Sequence, residues 1–102
     1  IYSKNIMSSK FQAKVKKQYQ KDGYCVNKFE TTKNGYPDLI CTKQGKTDIY
    51  IECKEAKDTL KALQKFRIDE LNKSGKIAFC LQDGKGVIYP TDKSFNDIHL
   101  DF

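Results

Sequence analysis

Two carboxylates and a lysine lie on neighbouring predicted strands, where pairing of the strands would bring them together. Asp38 follows a proline in one probable strand, and Glu52 and Lys54 lie two residues apart in the next. A turn centred on Gly45 would pair these strands so that facing residue numbers sum to 90, which places Asp38 opposite Glu52. Since side chains alternate along a strand, Lys54 shares the face of Glu52. Two carboxylates and one ammonium group should therefore meet on one small patch.

A pair of facing carboxylates suits a divalent metal ion. Like charges directly opposite in a sheet repel, so selection for stability alone would avoid this pair. Mg²⁺ or Mn²⁺ would remove the conflict, with Asp38, Glu52 and the backbone carbonyl of Cys53 as expected ligands. Such a metal activates water at a phosphoryl group, and Lys54 can neutralise the charge that develops there. The pattern indicates phosphodiester hydrolysis, although a turn aspartate beside solvent-facing strand residues is the structural alternative.

The helix predicted over residues 58–73, with Asp58 as its N-cap, carries two polar residues on its apolar face. On a helical wheel, Gln64 and Arg67 fall among the residues expected to pack on the sheet. Those apolar residues are Leu60, Leu63, Ile68 and Leu71. Because buried polar groups need partners, Gln64 and Arg67 should reach towards the carboxylate patch, with Gln64 as an accessory catalytic residue. A backbone-bonded glutamine and an arginine extending to the rim are the alternative.

Periodicity and turn residues predict the other elements. A first helix should cover residues 9–21, opened by a capping box of Ser9 and Gln12. Strands are expected at residues 24–31, 36–42, 47–54, 77–81 and 86–89. The first three strands form a meander, and the helix before the fourth is long enough for a parallel crossover. The sequence therefore predicts an α/β fold with a mixed sheet flanked by helices.

Length and charge narrow the function classes. With 102 residues, the chain should form a single domain over residues 1–102. It carries 19 basic against 13 acidic residues, a net charge of +6, and Arg67 is the single arginine. Lysine-rich charge suits contacts with phosphates, and a compositional lysine bias explains it equally well. No apolar run approaches a membrane span and no signal peptide is visible, so we expect no membrane partner.

The four cysteines, Cys25, Cys41, Cys53 and Cys80, have neither close pairs nor the spacing of a metal knuckle. We expect free, buried thiols in strands and hence a reducing compartment. The cytoplasm is the simplest such compartment, and a host nucleus or organelle is an alternative. A zinc or iron–sulfur site built from all four is a minor alternative.

Taken together, these residues resemble the PD-(D/E)XK nuclease superfamily, and within it VRR-Nuc domains and archaeal-type Holliday junction resolvases. The resemblance rests on residues 35–39 and 51–54, on Gln64 and on Leu71 before Gly75. It implies a restriction-endonuclease-like αβββαβ core and Mg²⁺-dependent cleavage of DNA that leaves a 5′-phosphate. It also implies structure selectivity for branched or junction DNA, and often a homodimer that cuts paired strands.

One position departs from the family pattern. Many members carry a metal-binding glutamate in the first helix, whereas this helix has no acidic residue before Asp22. Gln12 or Glu30 could take its place. Candidate nucleic-acid contacts around the site, for which solvated side chains are the alternative, are Lys28, Lys33, Lys57, Arg67 and Tyr36. An apolar tail that could form the dimer interface contains Phe95, Ile98, Leu100 and Phe102.

Two other functions compete with the nuclease. A non-catalytic nucleic-acid-binding module on the same fold would show salt-sensitive binding without turnover. A small protein-interaction domain of a larger polypeptide would show no affinity for nucleic acid. The sequence does not distinguish DNA from RNA, or one metal ion from two.

Overall fold

The computed structural model describes residues 10–91, which form a five-stranded sheet with two helices. The elements, in chain order, are α1 (Lys10–Lys21), β1 (Cys25–Lys28), β2 (Leu39–Thr42), β3 (Ile49–Lys54), α2 (Ala62–Lys73), β4 (Ile77–Gln82) and β5 (Gly86–Tyr89). The predicted α/β fold is confirmed. No helix in this part of the chain is long and apolar enough to cross a membrane.

The sheet has the strand order β1-β2-β3-β4-β5. Its first three strands pair antiparallel, β3 and β4 pair in parallel across α2, and β5 returns antiparallel to β4. Leu39 faces Ile51 and Cys41 faces Ile49, so facing numbers in β2 and β3 sum to 90 as predicted. The turn between these strands contains Gly45, whose φ of 77° favours glycine. Both the meander and the parallel crossover are confirmed.

Alternation along β3 sends its side chains to two separate cores. Ile49 and Ile51 pack with the α1 residues Phe11, Val15 and Tyr19 in one hydrophobic cluster. On the opposite face, Tyr50 packs with Ile68 of α2 and with Ala78 and Cys80 of β4. Each face of the sheet is thus covered by one helix, and the predicted division of β3 between its two faces is confirmed.

Several predicted boundaries are wrong. β1 ends at Lys28 rather than at residue 31, and β2 begins at Leu39 rather than at residue 36, after the buried Pro37, which has no N–H for a ladder. Helix α2 begins at Ala62 instead of residue 58. Asp58 does not cap it, because its carboxylate accepts the backbone N–H of Glu55 at 3.2 Å. Ser9, His99 and the apolar tail lie outside the described residues.

Leu63 also departs from the sequence prediction, since its side chain is 45% exposed instead of lying in the core. Its Cγ would lie 2.6 Å from a Cβ built on Gly35, so Leu63 rests on the loop before β2 rather than on the sheet. The fully buried residue of α2 is Ile68. Leu63→Ala should therefore leave no large cavity in the core.

All four cysteines are free, as predicted. Cys41 and Cys80 are buried in the two cores, whereas Cys25 is exposed on β1, so the expectation that every thiol is buried is wrong.

Asn72 attaches the end of α2 to β4. Its amide donates to the carbonyl of Ala78 at 2.9 Å and accepts the N–H of the same residue at 2.8 Å. We expect Asn72→Ala to lower the free energy of unfolding by about 1–3 kcal/mol, because two part-buried backbone groups lose their partner. Denaturant melts would measure this loss. Asn72→Asp keeps the acceptor and loses the donor, so full stability in both variants would contradict the role.

Candidate active site

Asp38 lies one residue before β2, where the backbone of the meander holds it in place. Its carbonyl accepts the N–H of Phe29 at 2.8 Å, which extends the β1–β2 ladder by one step. Its side-chain Oδ2 accepts the N–H of Cys53 at 3.1 Å. The carboxylate is therefore directed at the C-terminal end of β3. Continuing the observed register places Asp38 opposite Glu52, as the sequence predicted.

Glu52 is buried on the α2 face of β3, with only 4% of the residue exposed. Its Oε2 lies 3.6 Å from the Lys54 Nζ and accepts the Nε2–H of Gln64 at 3.3 Å. Its Oε1 is buried and has no hydrogen-bond partner within residues 10–91. The structure thus brings together four of the predicted site residues and leaves one carboxylate oxygen unpaired.

The two carboxyl groups perturb each other. The pKa of Glu52 is raised to about 8, first by burial and then by repulsion from Asp38, while Lys54 opposes the rise. Burial also raises the pKa of Asp38, against the effect of the Cys53 N–H. The closeness of the two carboxyl groups also lowers the pKa of Asp38 and raises that of Glu52. Without a metal ion, the pair therefore holds a proton near neutral pH.

The structure distinguishes the two candidates for the missing first-helix ligand. The side chain of Gln12, on α1, forms a hydrogen bond with Asp38. Glu30 is exposed, and within residues 10–91 no three His, Cys, Asp or Glu side chains lie close enough to hold a metal ion together. Gln12, and not Glu30, is therefore the residue that the fold brings to the carboxylate pair.

The residues present fit a hard divalent cation. Glu52 Oε1 is a buried acceptor without a partner, which costs free energy unless a donor or a cation meets it. The carboxylates of Asp38 and Glu52 supply oxygen donors of the kind that Mg²⁺ and Mn²⁺ prefer. A cation between the carboxylates would also remove the repulsion that raises the pKa of Glu52.

Arg67 does not reach the carboxylate pair, so that prediction is wrong. Its Nε donates to the carbonyl of Asn34 at 3.1 Å, and its Nη1 lies 3.3 Å from Glu70 Oε1. Tyr36 donates its hydroxyl to the same Glu70 oxygen at 2.7 Å. Arg67 was misplaced because the loop before β2 offers it closer partners. The predicted phosphate contacts are exposed lysines outside the carboxylate pair, namely Lys28, Lys33 and Lys57.

The family model of the VRR-NUC domain matches residues 3–82, which is most of the chain. The chain belongs to the VRR-NUC family. Its predicted resemblance to the PD-(D/E)XK superfamily, which includes this family, is thereby confirmed. Among curated proteins, none gives a significant match to the sequence.

Two solved structures share the fold of this VRR-NUC chain. One, described as a VRR_NUC domain, has a TM-score of 0.61 and 21% identity over 69% of this chain and 77% of its own. The other, Hjc from Archaeoglobus fulgidus, is a Holliday junction resolvase from an archaeal hyperthermophile. It has a TM-score of 0.54 and 19% identity, covering 71% of this chain and 64% of its own. At these identities the likeness establishes the fold alone.

Sequence reasoning missed Gln82, which braces this VRR-NUC site from β4. The residue is 5% exposed, and its Nε2 donates to the carbonyls of Glu55, Ala56 and Asp58 at 2.9, 3.3 and 2.7 Å. These three carbonyls belong to the segment that joins Lys54 to α2. A polar residue ending the apolar strand β4 was the available signal. Gln82 therefore holds the connection between Lys54 and the helix that carries Gln64.

Proposed function

We propose that this VRR-NUC domain is a metal-dependent endonuclease that hydrolyses phosphodiester bonds in DNA and leaves a 5′-phosphate. The observation that carries the proposal is the pair of buried Glu52 and half-buried Asp38, with Lys54 and Gln64 both on Glu52 Oε2 and Oε1 left unpaired. Two carboxylates held side by side with little exposure to solvent lower the stability of the fold. Their placement is best explained by a cation that they bind for catalysis. Family membership supports the same conclusion.

Asp38 and Glu52 would hold Mg²⁺ or Mn²⁺, with the backbone carbonyl of Cys53 as a further donor, while the Gln12 amide orients Asp38. A bound cation supplies a Lewis acid at the phosphoryl oxygen and lowers the pKa of water. Glu52 has to release its proton to become a ligand. The Nε2–H of Gln64 fixes Oε2 and so keeps Oε1 directed into the site.

Lys54 acts on the substrate side of the proposed site. Its side chain is 12% exposed, and its ammonium group lies 3.6 Å from Glu52 Oε2 at the C-terminal end of β3. There it can neutralise charge on the phosphate and orient the attacking water, and the low exposure strengthens both effects. Exposed lysines, with Tyr36 and Arg67, would contact the DNA backbone.

We propose branched or junction DNA as the preferred substrate. The Holliday junction resolvase among the structures of the same fold supports this choice. A homodimer stays a prediction from the resemblance, because the tail on which it was based lies outside the described residues.

The decisive experiment incubates the domain with end-labelled junction, flap, linear duplex and single-stranded DNA, with Mg²⁺ or with EDTA. We expect cleavage in the Mg²⁺ samples and none in EDTA, and the fastest cleavage on branched DNA. Because the products should carry 5′-phosphates, a ligase should rejoin them without prior phosphorylation. Salt-sensitive binding without cleavage under any condition would instead support the non-catalytic binding module.

Gln64→Ala should lower cleavage more than it lowers stability. Gln64 is partly exposed and forms one contact with Glu52 and one with the N–H of Lys61, at 2.9 Å. We expect about a tenfold loss of kcat/KM with a stability loss of about 1 kcal/mol or less. Paired denaturant melts and cleavage assays measure both. A core-sized loss of stability with a proportionate loss of activity would identify Gln64 as a packing residue.

A further inference from the structure

Two large apolar side chains lie exposed next to each other on α2. Leu63 is 45% exposed and Phe66 is 56% exposed, and they are the large hydrophobic residues that the described part of the chain leaves on its surface. Residues three apart on a helix are neighbours, so the two form one continuous apolar surface. Single exposed apolar residues are ordinary, whereas a contiguous pair indicates a binding partner more strongly.

Contacts around this pair connect it to the loop before the candidate active site. Leu63 rests on Gly35, in the loop that leads into Asp38. The Arg67 guanidinium lies 5.5 Å from the ring centre of Phe66 and 4.7 Å from that of Tyr36. Because Arg67 also bonds to the Asn34 carbonyl, the Tyr36 and Phe66 rings flank a fixed cation. The same helix carries Gln64, directly after Leu63.

The charge around the pair favours one kind of occupant. Arg67 lies against Phe66. One turn along the helix, the positive charge of the exposed Lys33 helps to lower the pKa of Glu70. Glu70 itself is engaged by Tyr36 and Arg67. An apolar, aromatic surface beside an arginine matches a nucleotide, since the base stacks on the ring and the phosphate meets the guanidinium group.

We propose that Leu63 and Phe66 form a stacking surface for an unpaired base of the DNA substrate. The inference rests on the proposed function and specifies its substrate class. Inside a continuous duplex every base is stacked between neighbours and paired, so no base face there is free to cover Phe66. Only DNA with unpaired nucleotides, at a branch, a flap or a frayed end, can occupy the surface. The domain therefore prefers helical discontinuities through base stacking as well as through backbone shape.

Binding in EDTA, where cleavage does not interfere, tests this inference. The probes are a flap DNA with 2-aminopurine at the first unpaired position and a fully paired duplex of equal length, with affinities from fluorescence titration. Phe66→Ala should weaken flap binding on the order of tenfold, as expected for loss of one stacked base, and leave duplex binding unchanged. Phe66→Tyr keeps the ring and should retain the flap affinity. Lys57→Ala removes the charge of an exposed lysine in another segment and should weaken both probes by the same factor.

Equal losses on flap and duplex for Phe66→Ala, or no loss on either, would overturn the stacking surface. So would sedimentation showing that Phe66→Ala dissociates a dimer, because the surface would then bind a second copy. Cleavage with Mg²⁺ is a separate readout. If flap binding depends on Phe66 but no cleavage occurs, the proposed nuclease activity is refuted and the stacking surface is supported. If the domain cleaves DNA and Phe66→Ala keeps the same preference for the flap, the nuclease activity is supported and the stacking surface is refuted.

Discussion

Replacing Glu52 with glutamine should reduce cleavage by about a thousandfold or more, while the metal-free domain melts at the same temperature or higher. The substitution removes a proposed metal ligand. It also removes a carboxylate that burial and Asp38 both disfavour, and it keeps the shape of the side chain. Asp38→Asn should behave alike, and Lys54→Ala should abolish cleavage through the lost charge. Cleavage rates and thermal melts on the same preparations provide both measurements.

Lys73→Ala is the matched control for Lys54→Ala, because Lys73 is an exposed lysine in the last turn of α2. It should leave both rate and stability unchanged. Full activity in the Glu52, Asp38 or Lys54 variant would refute the assigned site. A large drop in melting temperature for Glu52→Gln would show that this carboxylate is structural.

The stability of the metal-free domain should fall as the pH rises from about 5 to about 8. The folded-state pKa of Glu52, about 8, lies above its ordinary value of 4.5, so folding favours the protonated form. The stability this gives is complete below the unfolded pKa and is lost as the pH rises through the folded one. The pKa of Asp38 is raised too and acts in the same direction. We expect a loss of about 2–4 kcal/mol over this range.

Denaturant melts in EDTA at several pH values measure this loss, and Glu52→Gln is the control. The variant should show a much flatter profile. Any contribution from His99, the single histidine of the chain, is common to both proteins and cancels in the difference. Saturating Mg²⁺ should restore stability most at high pH, where the carboxylates are ionised. If the stability of the wild-type domain depends on pH as little as that of the variant, the Asp38–Glu52 pair does not hold a proton near neutral pH.

The register of the site was predictable because local chemistry determines it. The position of Gly45 between two strand-like segments sets the β2–β3 pairing, and the pairing sets Asp38 against Glu52. Alternation then assigns Lys54 to the same face. The bounds of β5 were also predicted as observed, since Gly84 and Gly86 mark its turn.

Features that depend on distant contacts were not predictable. Asp58 looks like a helix cap, but the segment after β3 is held by Gln82, which is 24 residues further along the chain. A helical wheel places Leu63 inwards, yet it carries no information on whether a sheet lies beneath that turn. Whether Gln12 serves the helix end or the carboxylate pair depends on how α1 docks, and α1 and Asp38 are far apart in sequence.

The carboxylate pair connects the two layers of the domain. Gln12 approaches Asp38 from α1, on one face of the sheet, and Gln64 approaches Glu52 from α2, on the other. Local opening of either helix would remove one member of this chain of contacts, so the helices are thermodynamically coupled through the site. A ligand of the pair would therefore slow amide exchange in both helices, and a packing defect under either helix would weaken that ligand's binding.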